Sequence, residues 1–137
     1  MKRLIINTDG AARGNPGPAS LGVVIKNADG HVVRELSAYL GEMTNNQAEY
    51  KALIAALETA AEIGAESIAI FADSELMVKQ VKGLYKVKNE GLKPLFDEVK
   101  GLLRKFKNCN IEYVPREKNK EADKLANLAI DKHFKVL

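Results

Sequence analysis

The segment Ser67-Ile68-Ala69-Ile70-Phe71 limits this chain more than any other. It has no charged position, and it is closed off by Gly64 before and by Asp73-Ser74 after. A strand of that kind belongs in the parallel part of a sheet covered on both sides. Helical spacing flanks it. Upstream, residues 45–63 place Lys51, Glu58 and Glu62 on one line, with apolar residues nearly everywhere else. The spacing predicts a largely buried helix that Gly64 ends. Downstream, residues 74–82 and 92–106 read as helices and residues 110–114 as a strand. A final helix over 119–132 has Ala122, Leu125, Ala126 and Ala129 as its inner stripe.

The first third follows a different rhythm. Residues 3–9 read as a strand around Leu4-Ile5-Ile6, ending at Asp9 and followed by a Gly- and Pro-rich loop over 10–18. Strands over 21–26 and 32–40 flank Ala28-Asp29-Gly30, a hairpin signal, so the opening is an antiparallel meander. The order βββαβααβα gives an α/β domain, a mixed sheet with helices on its faces. At 137 residues, without repeat, low-complexity stretch or linker, residues 1–137 read as one domain.

Several classes are excluded on this reading. The longest apolar run, residues 52–57, is far short of the roughly 20 residues that span a bilayer. The basic, then apolar, start would suit a signal peptide, but Asn7 and Asp9 interrupt it and no small-residue cleavage site follows. One cysteine, Cys109, cannot close an intrachain disulfide. A soluble, cytoplasmic, monomeric domain with no membrane partner is expected. Charge is uneven: Lys79, Lys82, Lys86, Lys88, Lys93, Lys100, Arg104, Lys105 and Lys107 face only Glu90, Asp97 and Glu98 in the same stretch. With a net charge of +3 overall, the rest of the chain is acidic. A polyanion partner fits this pattern, and so does a solvated lysine-rich helix face.

Four carboxylates stand out. Asp9 closes the first strand, where ligands gather in open α/β sheets, although an Asp-Gly pair is also an ordinary turn. Glu49 shares its helical face with Leu53, Ala56, Leu57 and Ala60, the buried side. A carboxylate there is costly unless paired, hydrogen-bonded or metal-bound, or else it sits in the first helical turn and answers the helix dipole. Asp73 follows immediately after a buried strand and precedes a helix, as an N-cap or as a neighbour of Asp9. Asp123 lies near the start of the last helix, at the margin of its buried stripe. Four converging carboxylates repel unless divalent cations neutralise them. Oxygen donors without a Cys/His cluster favour Mg²⁺ or Mn²⁺. Two such ions would suit hydrolysis of a phosphodiester.

Thr8-Asp9-Gly10-Ala11 with Gly14-Asn15-Pro16-Gly17, the run Thr44-Asn45-Asn46-Gln47-Ala48-Glu49-Tyr50, Asp73-Ser74, and Asn119-Lys120-Glu121-Ala122-Asp123 resemble ribonuclease H of type 1. They occur in that family's order and spacing, over essentially the whole chain. The resemblance implies a ribonuclease H-like, five-stranded mixed sheet in order 3-2-1-4-5 with helices on both faces. It also implies endonucleolytic cleavage of the RNA strand of RNA/DNA hybrids by two Mg²⁺ ions, with Mn²⁺ as substitute, leaving 5′-phosphate and 3′-hydroxyl ends. Asp9, Glu49, Asp73 and Asp123 become the catalytic, metal-binding carboxylates, with Asp9 bridging both ions. Glu49 and Asp73 would hold one ion and Asp123 would complete the other, with Glu49 near the ribose 2′-hydroxyl. Asn15, Asn46 and Gln47 match residues that contact the hybrid in its minor groove, and Thr44 matches one that grips a DNA-strand phosphate.

Two departures accompany the resemblance. Many bacterial members carry a mobile histidine before the fourth carboxylate, where this chain reads Pro115-Arg116-Glu117-Lys118-Asn119. Arg116, Glu117 or Lys118 is the expected product-release residue instead. The tryptophan-containing basic handle of some members is also missing, since the chain has no Trp. Two alternatives stay open: a non-catalytic hybrid- or RNA-binding module, and the same chemistry on double-stranded RNA.

Overall fold

The computed structural model describes residues 2–135, so the ends of the expected 1–137 domain lie outside the described residues. Five strands form one sheet: β1 (Arg3–Ala12), β2 (Gly17–Asn27), β3 (Val32–Met43), β4 (Ser67–Ala72) and β5 (Asn108–Tyr113). The order is β3-β2-β1-β4-β5, as expected. The β1–β2 and β2–β3 pairs are antiparallel, whereas β4 lies parallel to both β1 and β5. Four helices complete the described residues: α1 (Asn45–Ile63), α2 (Glu75–Val81), α3 (Lys93–Leu103) and α4 (Lys120–His133). A single 3-10 turn, Arg116–Lys118, precedes α4.

β4 sits inside the sheet, where its apolarity requires. Ile68, Ile70 and Ala72 pack into the main core beneath α1. On the other face Ala69 is buried but Phe71 only half so, because α4 lies over β1–β3. α1 turns Leu53, Ala56, Leu57 and Ala60 inward and Lys51, Glu58 and Glu62 to water. Gly64 ends it in the left-handed region at φ 89°. α4 covers the opposite face. Its inner stripe is Ala122, Ala126, Ala129 and Ile130, with the expected Leu125 only half-buried. Small residues serve there because α4 runs directly over Gly22, where a Cβ would come within 2.1 Å of the Ala122 carbonyl oxygen.

The opening differs from expectation. β1 does not end at Asp9 but continues to Ala12, pairing Asp9 with Gly22 and Ala12 with Ala19. The expected loop over 10–18 shrinks to residues 13–16. The glycines that read as breakers are strand residues kept small by neighbours: a Cβ on Gly10 would meet the backbone of Ala48 and Glu49, and one on Gly17 the Arg13 carbonyl. β3 likewise runs three residues past its expected end, and α3 is shorter at both ends than 92–106.

Candidate active site

β4 ends at Ala72, opposite Thr8, while β1 runs on. Asp9 therefore sits where β1 loses its β4 neighbour, and Asp73 is the first residue beyond that neighbour. A strand end does define the place, but it is the end of β4. Asp9 also pairs with Gly22 and so shares the face that α4 covers. Glu49 arrives from the other face. It lies beyond the first turn of α1, which holds no acidic residue, so the dipole explanation does not apply. The Gly10 N–H donates to Glu49 Oε1, an approach that the missing Gly10 side chain permits. Asp9, Glu49 and Asp73 each bring one carboxylate oxygen within 4.8 Å of the others. Asp9 and Glu49 are 6% and 3% exposed, which makes their joint charge expensive.

Electrostatics follow from that crowding. Burial, then the charges of Glu49 and Asp73, push the Asp9 carboxyl well above the usual carboxylate range. Burial also raises Glu49, partly opposed by the Gly10 N–H. Both groups hold their protons more tightly folded than unfolded. Their stabilising contribution is complete below the unfolded carboxylate range, about pH 4, and is lost as pH rises through the folded values. Between pH 5 and 8, the melting temperature in chelator is expected to fall by roughly 3 °C or more relative to that in a divalent cation. Equal pH profiles in parallel thermal scans would contradict this.

Asp123 lies beside the triad, close enough to Asp9 that contact with it also helps to raise the Asp9 carboxyl. It lies half-buried in the first turn of α4 and lines the same cavity of about 400 Å³ as Asp9, Glu49, Asp73 and Arg116. Arg116 Nη2 donates to Asp123 Oδ1 at 3.2 Å, and Asn127 Nδ2 to the same oxygen at 3.3 Å. Glu117 and Lys118 are exposed on the 3-10 turn. Of the three candidate release residues, Arg116 is the one at the cavity wall.

The remaining candidates are placed around the start of α1. Thr44 is its N-cap: Thr44 Oγ1 accepts from the Gln47 N–H, and Gln47 Oε1 accepts from the Thr44 N–H. That capping box leaves the Gln47 amide NH₂ outside it. Asn15 Oδ1 accepts from the Asn45 N–H at 3.1 Å, tying the β1–β2 loop to the helix. Asn46 is half-buried beside them. Asp73 is not an N-cap, because Ser74 takes that role by accepting from the Met77 N–H. Sequence reasoning gave Asn119 no role, yet its Nδ2 donates to Asp73 Oδ2 at 3.0 Å. Its signal was confined to the motif that ends in Asp123, and a polar residue before a helix reads as a cap.

Three oxygen donors this close, without His or Cys among the described residues of the group, fit a hard divalent cation. No helix among the described residues is long and apolar enough to cross a membrane. The family model described as "Reverse transcriptase-like" matches residues 7–129. The chain is 46% identical over 123 residues to "Ribonuclease HI" of Halobacterium salinarum, covering 90% of this chain and 62% of that protein. It is 44% identical over 130 residues to "Bifunctional protein Rv2228c" of Mycobacterium tuberculosis, covering 94% of this chain but only 36% of that one. The crystal structure of LC11-RNase H1 in complex with RNA/DNA hybrid superposes with a TM-score of 0.92 at 47% identity, covering 96% of this chain and 99% of that one.

Proposed function

The chain belongs to the ribonuclease HI family, and from that premise we propose that it hydrolyses the RNA strand of RNA/DNA hybrids. The observation that carries this is the buried acidic triad, Asp9, Glu49 and Asp73, drawn together where β4 ends. The hybrid-bound relative supports the substrate. Asp9, Glu49 and Asp73 would hold one divalent cation, and Asp123, on the same cavity wall, would help to hold a second. Bound there, Mg²⁺ or Mn²⁺ supplies the positive charge that makes a water nucleophilic and stabilises the leaving oxygen.

The protein's own groups do the rest. The Gly10 N–H keeps one Glu49 oxygen fixed, so the other is presented to the cavity. Gln47 and Asn46 offer amides to the minor groove, Asn15 sets their height through Asn45, and Thr44 presents its hydroxyl beside a backbone phosphate. Arg116 draws Asp123 aside through their ion pair, and we assign it the release of product; Glu117 and Lys118, exposed on the same turn, do not line that cavity. Between α2 and α3, residues 82–92 form no helix, so the basic segment offers lysines without a projecting handle. A monomer in the cytoplasm is part of the same proposal; the exposed free thiol of Cys109 supports the reducing compartment.

The test is cleavage of one labelled sequence presented as hybrid, double-stranded RNA and double-stranded DNA, in Mg²⁺, Mn²⁺ or chelator. Metal-dependent cutting of the RNA strand of the hybrid, at least about tenfold faster than of double-stranded RNA, is the expected outcome. Hybrid binding without cutting in either metal would replace the enzyme by a binding module.

A further inference from the structure

Asn119 stands at the N-cap position of α4, yet its side chain makes no bond to the helix it precedes. It turns inward and is 1% exposed. The amide is fully used. Its Nδ2 donates to the Thr8 carbonyl at 2.9 Å and to Asp73 Oδ2 at 3.0 Å, while its Oδ1 accepts from Asn7 Nδ2 at 3.0 Å. Two of these partners can only accept, so the NH₂ end must face them. Thr8 is the last β1 residue paired with β4, and Asp73 is the first residue after β4. The Asn119 carbonyl also accepts from the Asp123 N–H at 3.1 Å. One residue thus fastens β1, the exit of β4 and the start of α4 at the point where the carboxylates gather.

Resting on the reading of those carboxylates as a metal site, we propose that Asn119 is its positioning residue. By donating to one oxygen of Asp73 it fixes the rotation of that carboxylate and reserves the other oxygen for a cation. A neutral donor suits this task. A lysine or arginine would neutralise Asp73 and compete with the cation, while a water in its place would leave the carboxylate free to turn. The bond is part-buried, and its donor, 1% exposed, has no solvent to turn to. Asn119 therefore acts through Asp73 and touches no reacting atom.

The deciding experiment is Mn²⁺ binding by calorimetry, without nucleic acid, to the wild type, Asn119→Ala, Asn119→Ser and Asn7→Ala. Asn7→Ala removes one bond of the network but leaves the donor to Asp73, so it reports the structural loss alone. The Mn²⁺ dissociation constant is expected to rise roughly tenfold in both Asn119 variants, the value of one hydrogen bond to a charged group. It should stay within about twofold in Asn7→Ala. Cleavage should need correspondingly more Mn²⁺, with the KM for hybrid unchanged. Asn119→Ser, which keeps a polar side chain one atom too short to bond Asp73 Oδ2, provides the reading if the alanine variant does not fold. A folded Asn119 variant with wild-type Mn²⁺ affinity would overturn the positioning role and leave the metal site intact. A wild type that binds no Mn²⁺ would overturn the site itself.

Discussion

Asp9→Asn is expected to lower metal-dependent RNA cleavage by about a thousandfold or more, roughly 4 kcal/mol of transition-state stabilisation. The same change should raise the melting temperature in chelator at pH 7–8. The two effects have one cause. Asp9 is 6% exposed and lies against Glu49 and Asp73, so its negative charge is costly until a cation shares it. Asparagine keeps the shape and removes the charge. It therefore removes the buried charge whose cost raises the Asp9 carboxyl and takes away the central oxygen donor of the triad. Because Asp9 binds its proton more tightly when folded, the stability gain should shrink as pH falls and vanish below about pH 4, where the wild-type carboxyl becomes protonated in both states. Single-turnover cleavage and thermal scans on one preparation read both halves. Cleavage retained within about tenfold would remove Asp9 from the centre of the site.

Residues that report on their own surroundings were legible in the sequence. The apolar run of β4 announced a strand in the parallel part of the sheet, and the Lys51, Glu58 and Glu62 line announced which face of α1 meets water. Glu49 could be singled out because it broke that pattern, and the structure places it at 3% exposure with the backbone of Gly10 as its donor. What could not be read depends on partners distant in sequence. Gly10 read as the start of a loop because its reason is the backbone of Ala48 and Glu49, brought against it by the β1–α1 packing. Asp73 and Ser74 both qualify as caps by type, and only the bond to the Met77 N–H assigns the role to Ser74. Asn119 drew no role from the sequence, because its side chain reaches back 111 residues to Thr8. Asp123 carried its signal through motif and position, and the ion pair to Arg116 on the neighbouring turn was not visible in either.

Gly10→Ala is expected to damage fold and site together. A Cβ on Gly10 would lie 2.2 Å from the Ala48 carbonyl carbon, 2.3 Å from its oxygen and 2.3 Å from the Glu49 nitrogen. All three are backbone atoms, so no side chain can swing aside, and α1 must withdraw from β1 by about an ångström to reach ordinary contact. Overpacking of this kind costs roughly 1–3 kcal/mol or somewhat more. Withdrawal also stretches the bond from the Gly10 N–H to Glu49 and carries that carboxylate away from Asp9 and Asp73. A misplacement of that size lowers rate by about a hundredfold even in protein that remains folded. Gly101→Ala is the matching control. That glycine lies inside α3 with nothing within 4 Å of an added Cβ, so alanine should stabilise by roughly 0.5–1 kcal/mol and leave cleavage unchanged. Melting temperature and single-turnover rate, measured well below the transition of each variant, separate the two consequences. If Gly10→Ala lost stability but kept its folded-state rate, the approach of α1 to β1 would serve packing alone, and the placement of Glu49 would have to come from elsewhere in the helix.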